Sequence, residues 1–366
     1  MRFVRTEDLK NGMRIARPIF NKKGVLLYDR DSKLTAASIA SIENFGLIGI
    51  YVLDPSEPLP PMTDEEREFE RTQTILVYSL MDELKTIVMS HKVHKMEFIA
   101  NDVLKAYGNL RHKITFPQNI RSQEDYVCKH SINVAAICAM LINRMKVPVE
   151  DREAIMIAAL IHDVGKTTVP ESLLKGIEPY EVESILHNAM VTGFEIIESL
   201  YTSKPNVRRI CAQTDMLLES FKYNREQEKM KMVTGTKILA VAETFDALTA
   251  MKMFGDEEPK SYIEALRFLQ SHPDVFAPDV VNALVSSIHF LNEGTCVELS
   301  NGRQALVISV NMVNILEPVV LQFDTNEIMD LSDRIMFDDI WIVDVVKTMD
   351  KRYSLSSEQL KQFGLN

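Results

Sequence analysis

Apolar residues recur at intervals of three and four along most of this chain, which is the spacing of one face of an α-helix. The longest such stretch predicts a helix over about 66–91, with an apolar stripe formed by Phe69, Ile75, Leu76, Tyr78, Leu80, Met81, Leu84, Ile87 and Val88. The helical pattern continues over residues 100–292, with few Gly or Pro between the elements. The pattern therefore predicts a mainly α protein with an all-helical domain at 100–292.

The two ends of the chain instead show short runs that are typical of β-strands. In residues 1–60 the pattern predicts strands at 13–20, 25–28 and 48–53, with a turn at 21–24 and a helix at 35–45 capped by Thr35. In residues 293–350 it predicts short strands, two of them joined by the hairpin signal Asn301-Gly302. We therefore expect a small N-terminal α+β module and a small C-terminal β-barrel-like module, which flank the helical domain.

Proline marks the boundary between the first module and the helices. Four prolines within residues 54–64 predict an extended linker, and Thr63 with Glu66 forms a capping box at the start of the next helix. We divide the chain into an N-terminal module (1–60), a linker with the long helix (61–99), the helical domain (100–292), a β module (293–350) and a tail (351–366). The tail is predicted to be a short helix or disordered.

The composition of the chain indicates which partners and which cellular location to expect. The chain has 366 residues and a formal net charge of −11, which argues against loose binding to nucleic acid or to an anionic membrane. No apolar run approaches the roughly 18 residues of a membrane span, and the N-terminus turns acidic at once, unlike a signal peptide. The four cysteines are scattered without a Cys-x-x-Cys pair and are interpreted as reduced thiols. We expect a cytoplasmic protein.

One short stretch stands out as candidate chemistry. An apolar run at 155–161 ends in His162-Asp163, followed by Gly165 and Lys166. Burying a His and an Asp at a helix end is costly unless a partner satisfies both of them. A divalent metal would do so, because imidazole nitrogen and carboxylate oxygen together suit Mn, Fe or Zn. The alternative is a hydrogen-bonded His-Asp pair with a solvated Lys.

Two other helical stretches complete a known pattern. His130 begins the phrase HSINVA, and Glu243 lies in ILAVAETFDALTA, on either side of LIHDVGKTTVPESLL. Over 121–286 the chain resembles the HD phosphohydrolase superfamily and, within it, the HD-GYP branch. The resemblance implies an all-helical domain with a metal centre that hydrolyses phosphodiesters, usually cyclic di-GMP. It implies metal ligands at His130, His162 and Asp163 and, where the family has a bridging Asp, at Glu243, whose longer carboxylate can still ligate. Asp163 and Lys166 are the candidate catalytic residues, because Lys166 follows Asp163 by three residues on the same helical side and would face an anion that the metal attracts.

The sequence departs from the HD-GYP pattern after this central motif. A further ligand His of the family falls on Ala189, and a His-His-Glu triplet falls on Gln213, Thr214 and Asp215. His187 lies two residues before Ala189, so its side chain is rotated by about 200° on a helix. The Gly-Tyr-Pro segment falls on 221–223, where the chain has Phe-Lys-Tyr. The second and third metal positions are therefore predicted to be lost, which leaves one divalent transition metal (Mn, Fe or Zn) per chain.

Two classes of function follow. The first is an HD-GYP-like metal-dependent phosphodiesterase of cyclic di-GMP signalling with weak or altered activity, favoured by intact His130, His162, Asp163 and Lys166. The second is a catalytically inactive relative that acts as a signalling receptor or scaffold, favoured by Ala189, Gln213 and Thr214. In both classes a cyclic dinucleotide is the candidate ligand. A mononuclear nucleotide phosphohydrolase is a third, weaker alternative.

The apolar stripe on the helix at 66–91 generates a prediction about assembly. The stripe is wide enough to pack on the helical domain and also to pair with a second chain. We predict that it helps to form a homodimer, which light scattering would detect as a doubled mass. A monomer at micromolar concentration would contradict this prediction and leave core packing as the explanation of the stripe.

Overall fold

The computed structural model describes residues 2–21, 24–45, 47, 49–53, 64–116, 118, 121, 125–174, 177–225, 231–251 and 259–346. By internal contacts the chain divides into two compact units. The first comprises 1–259 and 273–287, and the second comprises 260–272 and 288–366. The predicted mainly α architecture with strand-rich parts at both ends is confirmed.

The N-terminal part of the first unit is a small α+β assembly. Its elements are β1 (Arg2–Arg5), β2 (Arg14–Ile15), β3 (Ile19–Phe20), β4 (Leu26–Tyr28), α1 (Ala36–Asn44) and β5 (Gly49–Leu53). Strand β5 lies between β1 and β2, and β3 pairs with β4 in the predicted hairpin, whose Lys22 and Lys23 lie outside the described residues. The predicted single strand at 13–20 is wrong, because Pro18 has no N–H to donate to a ladder and separates β2 from β3. Thr35 caps α1 as predicted.

The helices follow the predicted pattern closely. They are α2 (Asp64–Ser90), α3 (Met96–Tyr107), α4 (Tyr126–Arg144), α5 (Val149–Ile161), α6 (Pro179–Leu200), α7 (Pro205–Lys222), α8 (Thr234–Thr249), α9 (Tyr262–Gln270) and α10 (Pro278–Val285). All of these belong to the first unit except α9. A short 3₁₀ helix, Val164–Thr168, follows α5 directly.

Helix α4 forms the centre of the first unit. From His130 to Ile142 every side chain is buried, and α4 lies against α2, α3, α5, α8 and α10. Among the described helices, α4 has the length and apolar composition to cross a membrane, but 78% of that stretch is buried inside the fold. Central packing therefore accounts for its apolar character, and it holds His130 in a rigid position.

Helix α2 lies against α3 and α4 of the same chain, which covers much of its apolar stripe. Leu76, Leu80, Leu84 and Ile87 are buried there, whereas Ile75 remains partly exposed. Core packing within one chain therefore accounts for most of the stripe. Homodimer formation through this helix stays a prediction.

The second unit contains an open, five-stranded antiparallel sheet. Its elements are β6 (Cys296–Leu299), β7 (Gln304–Ser309), β8 (Val319–Gln322), β9 (Ile328–Asp330), a short helix α11 (Arg334–Phe337) and β10 (Ile342–Val345). The strand order is β10-β6-β7-β8-β9, so β9 and β10 form opposite edges and the expected barrel-like closure is wrong. The physical reason lies at the β10 edge, where α9 packs and Arg267 donates a hydrogen bond to the Ile342 carbonyl. The hairpin at Asn301-Gly302 is confirmed, with Gly302 at φ +75°.

Two glycines allow α6 to approach the turn that follows α5. A Cβ atom on Gly165 would lie 1.9 Å from the Ala189 carbonyl oxygen, and one on Gly193 would lie 2.8 Å from the Gly165 nitrogen. Both contacts are to backbone atoms, which cannot rotate away as a side chain can. The glycine between Asp163 and Lys166 is thus required by the close approach of a helix to the segment that bears both side chains.

We predict that Gly165→Ala destabilises the protein by about 3 kcal/mol or more, because overpacking against a backbone forces the helix to shift. Urea unfolding followed by circular dichroism would measure the change. Thr192→Ala, at an exposed position of the same helix, is the matched control and should change the free energy of unfolding by less than about 0.5 kcal/mol. Equal stabilities for both variants would contradict the close packing described here.

Candidate metal centre

Three helices bring four side chains to one point in the first unit. His130 lies in α4, His162 and Asp163 follow the end of α5, and Glu243 lies in α8. The Glu243 Oε2 atom lies 2.6 Å from His130 Nε2 and 2.9 Å from His162 Nε2, and the two Nε2 atoms are 3.3 Å apart. Asp163 Oδ2 lies 3.7 Å from His130 Nε2. The structure therefore brings together all four residues that the sequence singles out as metal ligands.

In each imidazole, the hydrogen bond made by Nδ1 determines whether Nε2 carries a proton or a free lone pair. His162 Nδ1 lies 2.9 Å from the Ala159 carbonyl oxygen, which can only accept, so Nδ1 carries the proton. His130 Nδ1 lies 2.6 Å from Asp246 Oδ2, which is likewise an acceptor. In the neutral imidazoles, both Nε2 lone pairs then point towards Glu243. Three acceptor atoms this close together repel one another unless a proton or a metal cation lies between them.

The pKa shifts of His130 and Glu243 also indicate that a positive charge is stabilised at this point. Burial lowers the pKa of His130, but the carboxylates of Glu243 and Asp246 outweigh it and raise that pKa to about 10. Burial raises the pKa of Glu243, yet the two imidazoles hold it well below its ordinary value. His130, His162 and Asp163 offer ligand atoms that all lie within 4.8 Å of one another. Two imidazole nitrogens with carboxylate oxygens suit a divalent transition metal, so the donor set fits one.

Lys166 lies beside this group without joining it. Its Nζ atom donates to Asp163 Oδ2 at 2.7 Å, and the side chain is 28% exposed. Burial lowers the pKa of Lys166, but the carboxylates of Asp163 and Glu243 raise it above its ordinary value. Burial raises the pKa of Asp163, and the charges of Lys166 and His162 bring it below the ordinary value. The pair therefore stays ionised, and the Lys166 side chain is partly exposed.

A buried polar network supports His130 from behind, and the sequence analysis missed it. Asp246 is fully buried and accepts hydrogen bonds from Arg121 Nη2 at 2.6 and 2.8 Å and from Asn133 Nδ2 at 2.8 Å. Gln118 Oε1 accepts from Asn133, and Gln118 Nε2 donates to Thr249 Oγ1. The signal for it was spacing, since Asn133 follows His130 by three residues and Asp246 follows Glu243 by three, which places each pair on one helix face.

The positions at which the sequence lacks further ligands are filled by structural contacts. Ala189 is buried against Gly165. Gln213 Oε1 accepts hydrogen bonds from the Thr236 hydroxyl at 2.9 Å and the Val233 amide at 3.2 Å, while Thr214 is buried. The side chain at Gln213 therefore links α7 to the start of α8.

His187 and Asp215 lie on α6 and α7, outside the four-residue group. His187 Nδ1 pairs with Glu219 Oε1 at 2.8 Å, and its side chain is half exposed. Burial first, and then the charge of Glu219, raise the pKa of Asp215 to about 6. His187 thus has a carboxylate partner of its own, in keeping with the predicted rotation away from the missing ligand position.

The segment matching Gly-Tyr-Pro ends a helix. Phe221 packs edge-on to Phe276 with ring centroids 5.7 Å apart. Lys222 and Tyr223 both donate to the Glu183 carboxylate, the tyrosine hydroxyl at 2.9 Å. Helix α7 continues through this segment as far as Lys222, and residues 226–230 lie outside the described part of the chain.

Comparison with known proteins gives three findings. Residues 103–280 match the family model described as HD domain. The chain is 21% identical over 210 residues to the curated Cyclic di-GMP phosphodiesterase PA4108 of Pseudomonas aeruginosa, over 56% of this chain and 49% of the relative, so it spans about half of that relative's length. A solved structure, titled Bd1817, a HDG"Y"P protein from Bdellovibrio bacteriovorus, aligns with a TM-score of 0.44 at 14% identity, covering 77% of this chain and 97% of that one.

We predict that the purified chain holds at most one tightly bound transition metal, because four donors converge on one point. Elemental analysis after purification without chelator would measure the ratio. Asp163→Ala should abolish binding, since it removes the anionic member of the His-Asp pair. Asp215→Ala is the control and should leave the metal content unchanged. Two or three equivalents per chain would contradict the prediction and indicate ligands among His187, Gln213 and Asp215.

Proposed function

We propose that this chain, whose residues 103–280 match the HD domain family model, is an HD-GYP-like metal-dependent phosphodiesterase of cyclic di-GMP signalling with slow turnover. The observation that carries the proposal is the convergence of His130 and His162 Nε2 on Glu243, next to Asp163. The printed name of the curated relative supports a cyclic dinucleotide as the candidate substrate. Because that relative is matched over half its length, its activity is transferred here only as a proposal.

The proposed ligands are His130, His162, Asp163 and Glu243, around one divalent metal that we expect to be Mn, Fe or Zn. Such a metal, when bound, would lower the pKa of a coordinated water and act as a Lewis acid. The protein's part is to keep both imidazoles in the tautomer with a free Nε2 and to keep both carboxylates ionised. The hydrogen bonds to Ala159 and Asp246 support the first role, and the low pKa of Glu243 supports the second.

We assign Lys166 the role of neutralising charge on the substrate. Its ammonium group lies next to the proposed ligand Asp163, and its side chain is partly exposed. A positive charge at the edge of the group would stabilise the non-bridging oxygens of a phosphodiester as negative charge develops on them. Asp163 and Lys166 are therefore the residues that we propose act on substrate.

Slow turnover follows from what the site lacks. In-line displacement at a phosphodiester needs stabilisation of the leaving oxygen as well as an activated water, and paired metals commonly provide both. At the positions where the family resemblance implies further ligands, Ala189 and Thr214 are buried and Gln213 is hydrogen-bonded to Thr236. No second set of three or more His, Cys, Asp or Glu ligands occurs among the described residues.

A receptor or scaffold without hydrolysis is the second candidate, and the contacts of Lys222 and Tyr223 with Glu183 favour it. This segment stands where the family resemblance implies a Gly-Tyr-Pro loop. Both side chains are held in an exposed hydrogen-bonded cluster, which would have to open for the segment to grip a ligand. Loss of substrate positioning alone can cost orders of magnitude in rate.

We propose a cytoplasmic location on the basis of the cysteines. Cys128, Cys138 and Cys211 are free thiols buried in the first unit. Burial raises the pKa of Cys128 and of Cys211 to about 12, so neither thiol is a ready nucleophile. Buried free thiols are typical of proteins that work in a reducing compartment.

The test incubates purified protein with cyclic di-GMP and Mn²⁺ or Fe²⁺ and follows the linear product by chromatography. We expect turnover far below about 1 s⁻¹, the low end of typical enzymes, and its loss in Asp163→Ala. Gln213→His would be informative as a gain-of-function variant, because it offers an imidazole where the family resemblance implies one.

The outcomes separate the candidates. Turnover near 1 s⁻¹ that Asp163→Ala abolishes would show that one metal suffices and would contradict the slow-turnover proposal. Binding of the dinucleotide without any turnover would assign the chain as a receptor. Neither binding nor turnover, with an intact metal site, would leave a scaffold role.

A further inference from the structure

Arg17 connects three parts of the first unit. It lies between β2 and β3, and the preceding residue is fixed by a hydrogen bond from the Ala16 amide to the Tyr51 carbonyl at 2.8 Å. The Arg17 guanidinium lies 5.6 Å from the centroid of the Tyr51 ring. Its Nη2 atom pairs with Glu70 of α2 at 3.0 Å, and both side chains are at least 86% withdrawn from solvent.

The third contact of Arg17 leads to the candidate metal centre. Arg17 Nη1 donates to the backbone carbonyl of Gln118 at 3.0 Å. Gln118 belongs to the connection between α3 and α4, which has no helix or strand at the residues described there. Gln118 and Arg121 lie in no helix or strand, so side-chain contacts contribute to their positions.

The same connection supplies two members of the network behind His130. Gln118 Oε1 accepts hydrogen bonds from Asn133 Nδ2 at 2.9 Å and Arg121 Nη2 at 3.3 Å. Arg121 and Asn133 in turn bond the Asp246 carboxylate, which pairs with His130 Nδ1. A continuous run of hydrogen bonds therefore leads from Arg17 to the imidazole that we propose binds metal.

Tyr51 lies beside Arg17 in this arrangement. Burial raises the pKa of Tyr51, and the charges of Arg17, Arg121 and Asp246 also act on it. Arg17 itself joins the N-terminal module to α2 and to the connection that holds Gln118.

We propose that Arg17 is a positioning residue for the metal centre, and that the N-terminal module thereby sets the metal affinity of the HD domain. This inference rests on the proposed metal centre. Groups that hold a metal-binding His in place typically contribute a factor of about 10 to 100 in metal affinity when they bond the ligand directly. Arg17 is three hydrogen bonds further away, through Gln118 and then Asn133 or Arg121 to Asp246, so we expect an effect at the lower end of that range.

The experiment measures the dissociation constant for Mn²⁺ of the metal-stripped full-length chain, by titration against a fluorescent chelator. Arg17→Met should raise the dissociation constant about ten-fold. Arg17→Lys keeps the charge for Glu70 but lacks the planar fork that also reaches Gln118, so it should raise the constant by roughly three-fold. Arg14→Met is the matched control, because Arg14 lies in the same module and pairs with Asp31 at 2.6 Å; its constant should stay within roughly two-fold of wild type.

The midpoint temperature of thermal unfolding is also measured for each metal-free variant. The titration is carried out well below each of these temperatures. A lower midpoint with an unchanged dissociation constant in Arg17→Met would mean that Arg17 is merely structural and would overturn the proposal. Failure of both Arg17 variants to fold would assign the residue to stability and overturn it likewise. A wild-type chain that binds no Mn²⁺ would refute the proposed metal centre itself, which is a separate result.

Discussion

A carboxylate withdrawn from water lies beneath the four-residue group, and its neutralisation organises the surrounding helices. The Asp246 side chain is 0% exposed and its ion-pair partner Arg121 is 1% exposed. Burying such charges costs several kcal/mol unless hydrogen bonds satisfy them. Asn133 and His130 from α4 provide the remaining bonds, so α4, α8 and the connection before α4 are held in one register. That register turns His130 Nε2 towards Glu243, and the candidate metal centre follows from it.

The sequence was sufficient for the four converging residues and insufficient for what orients them. His130, His162 and Glu243 lie in motif phrases whose wording carries the family resemblance, and periodicity places each on a helix. Arg121 and Gln118 lie in a connection without periodicity, so nothing local shows that they reach α8. The same limit applies to the β module, where the hairpin at Gly302 was predicted correctly but the packing of α9 on the edge of the sheet depends on distant residues.

The surroundings of the four-residue group differ from those of the positions on α6 and α7 where the family resemblance implies further ligands. Around His162 and Asp163, buried ligands require charge compensation, so that any loss there leaves an unpaired buried group. On α6 and α7 the replacements are compatible with a core: Ala189 packs against Gly165, and Gln213 joins α7 to α8. Such residues stabilise the fold without any metal. The fold at these positions on α6 and α7 is therefore compatible with the prediction of a single metal position.

Anomalous diffraction from crystals grown with Mn²⁺ would test the central claim most directly. The account predicts one strong peak per chain, within bonding distance of His130 Nε2, His162 Nε2 and the carboxylates of Asp163 and Glu243, with His130 Nδ1 still bonded to Asp246. The absence of a peak at this point, or a second peak of equal strength beside His187 and Asp215, would contradict it.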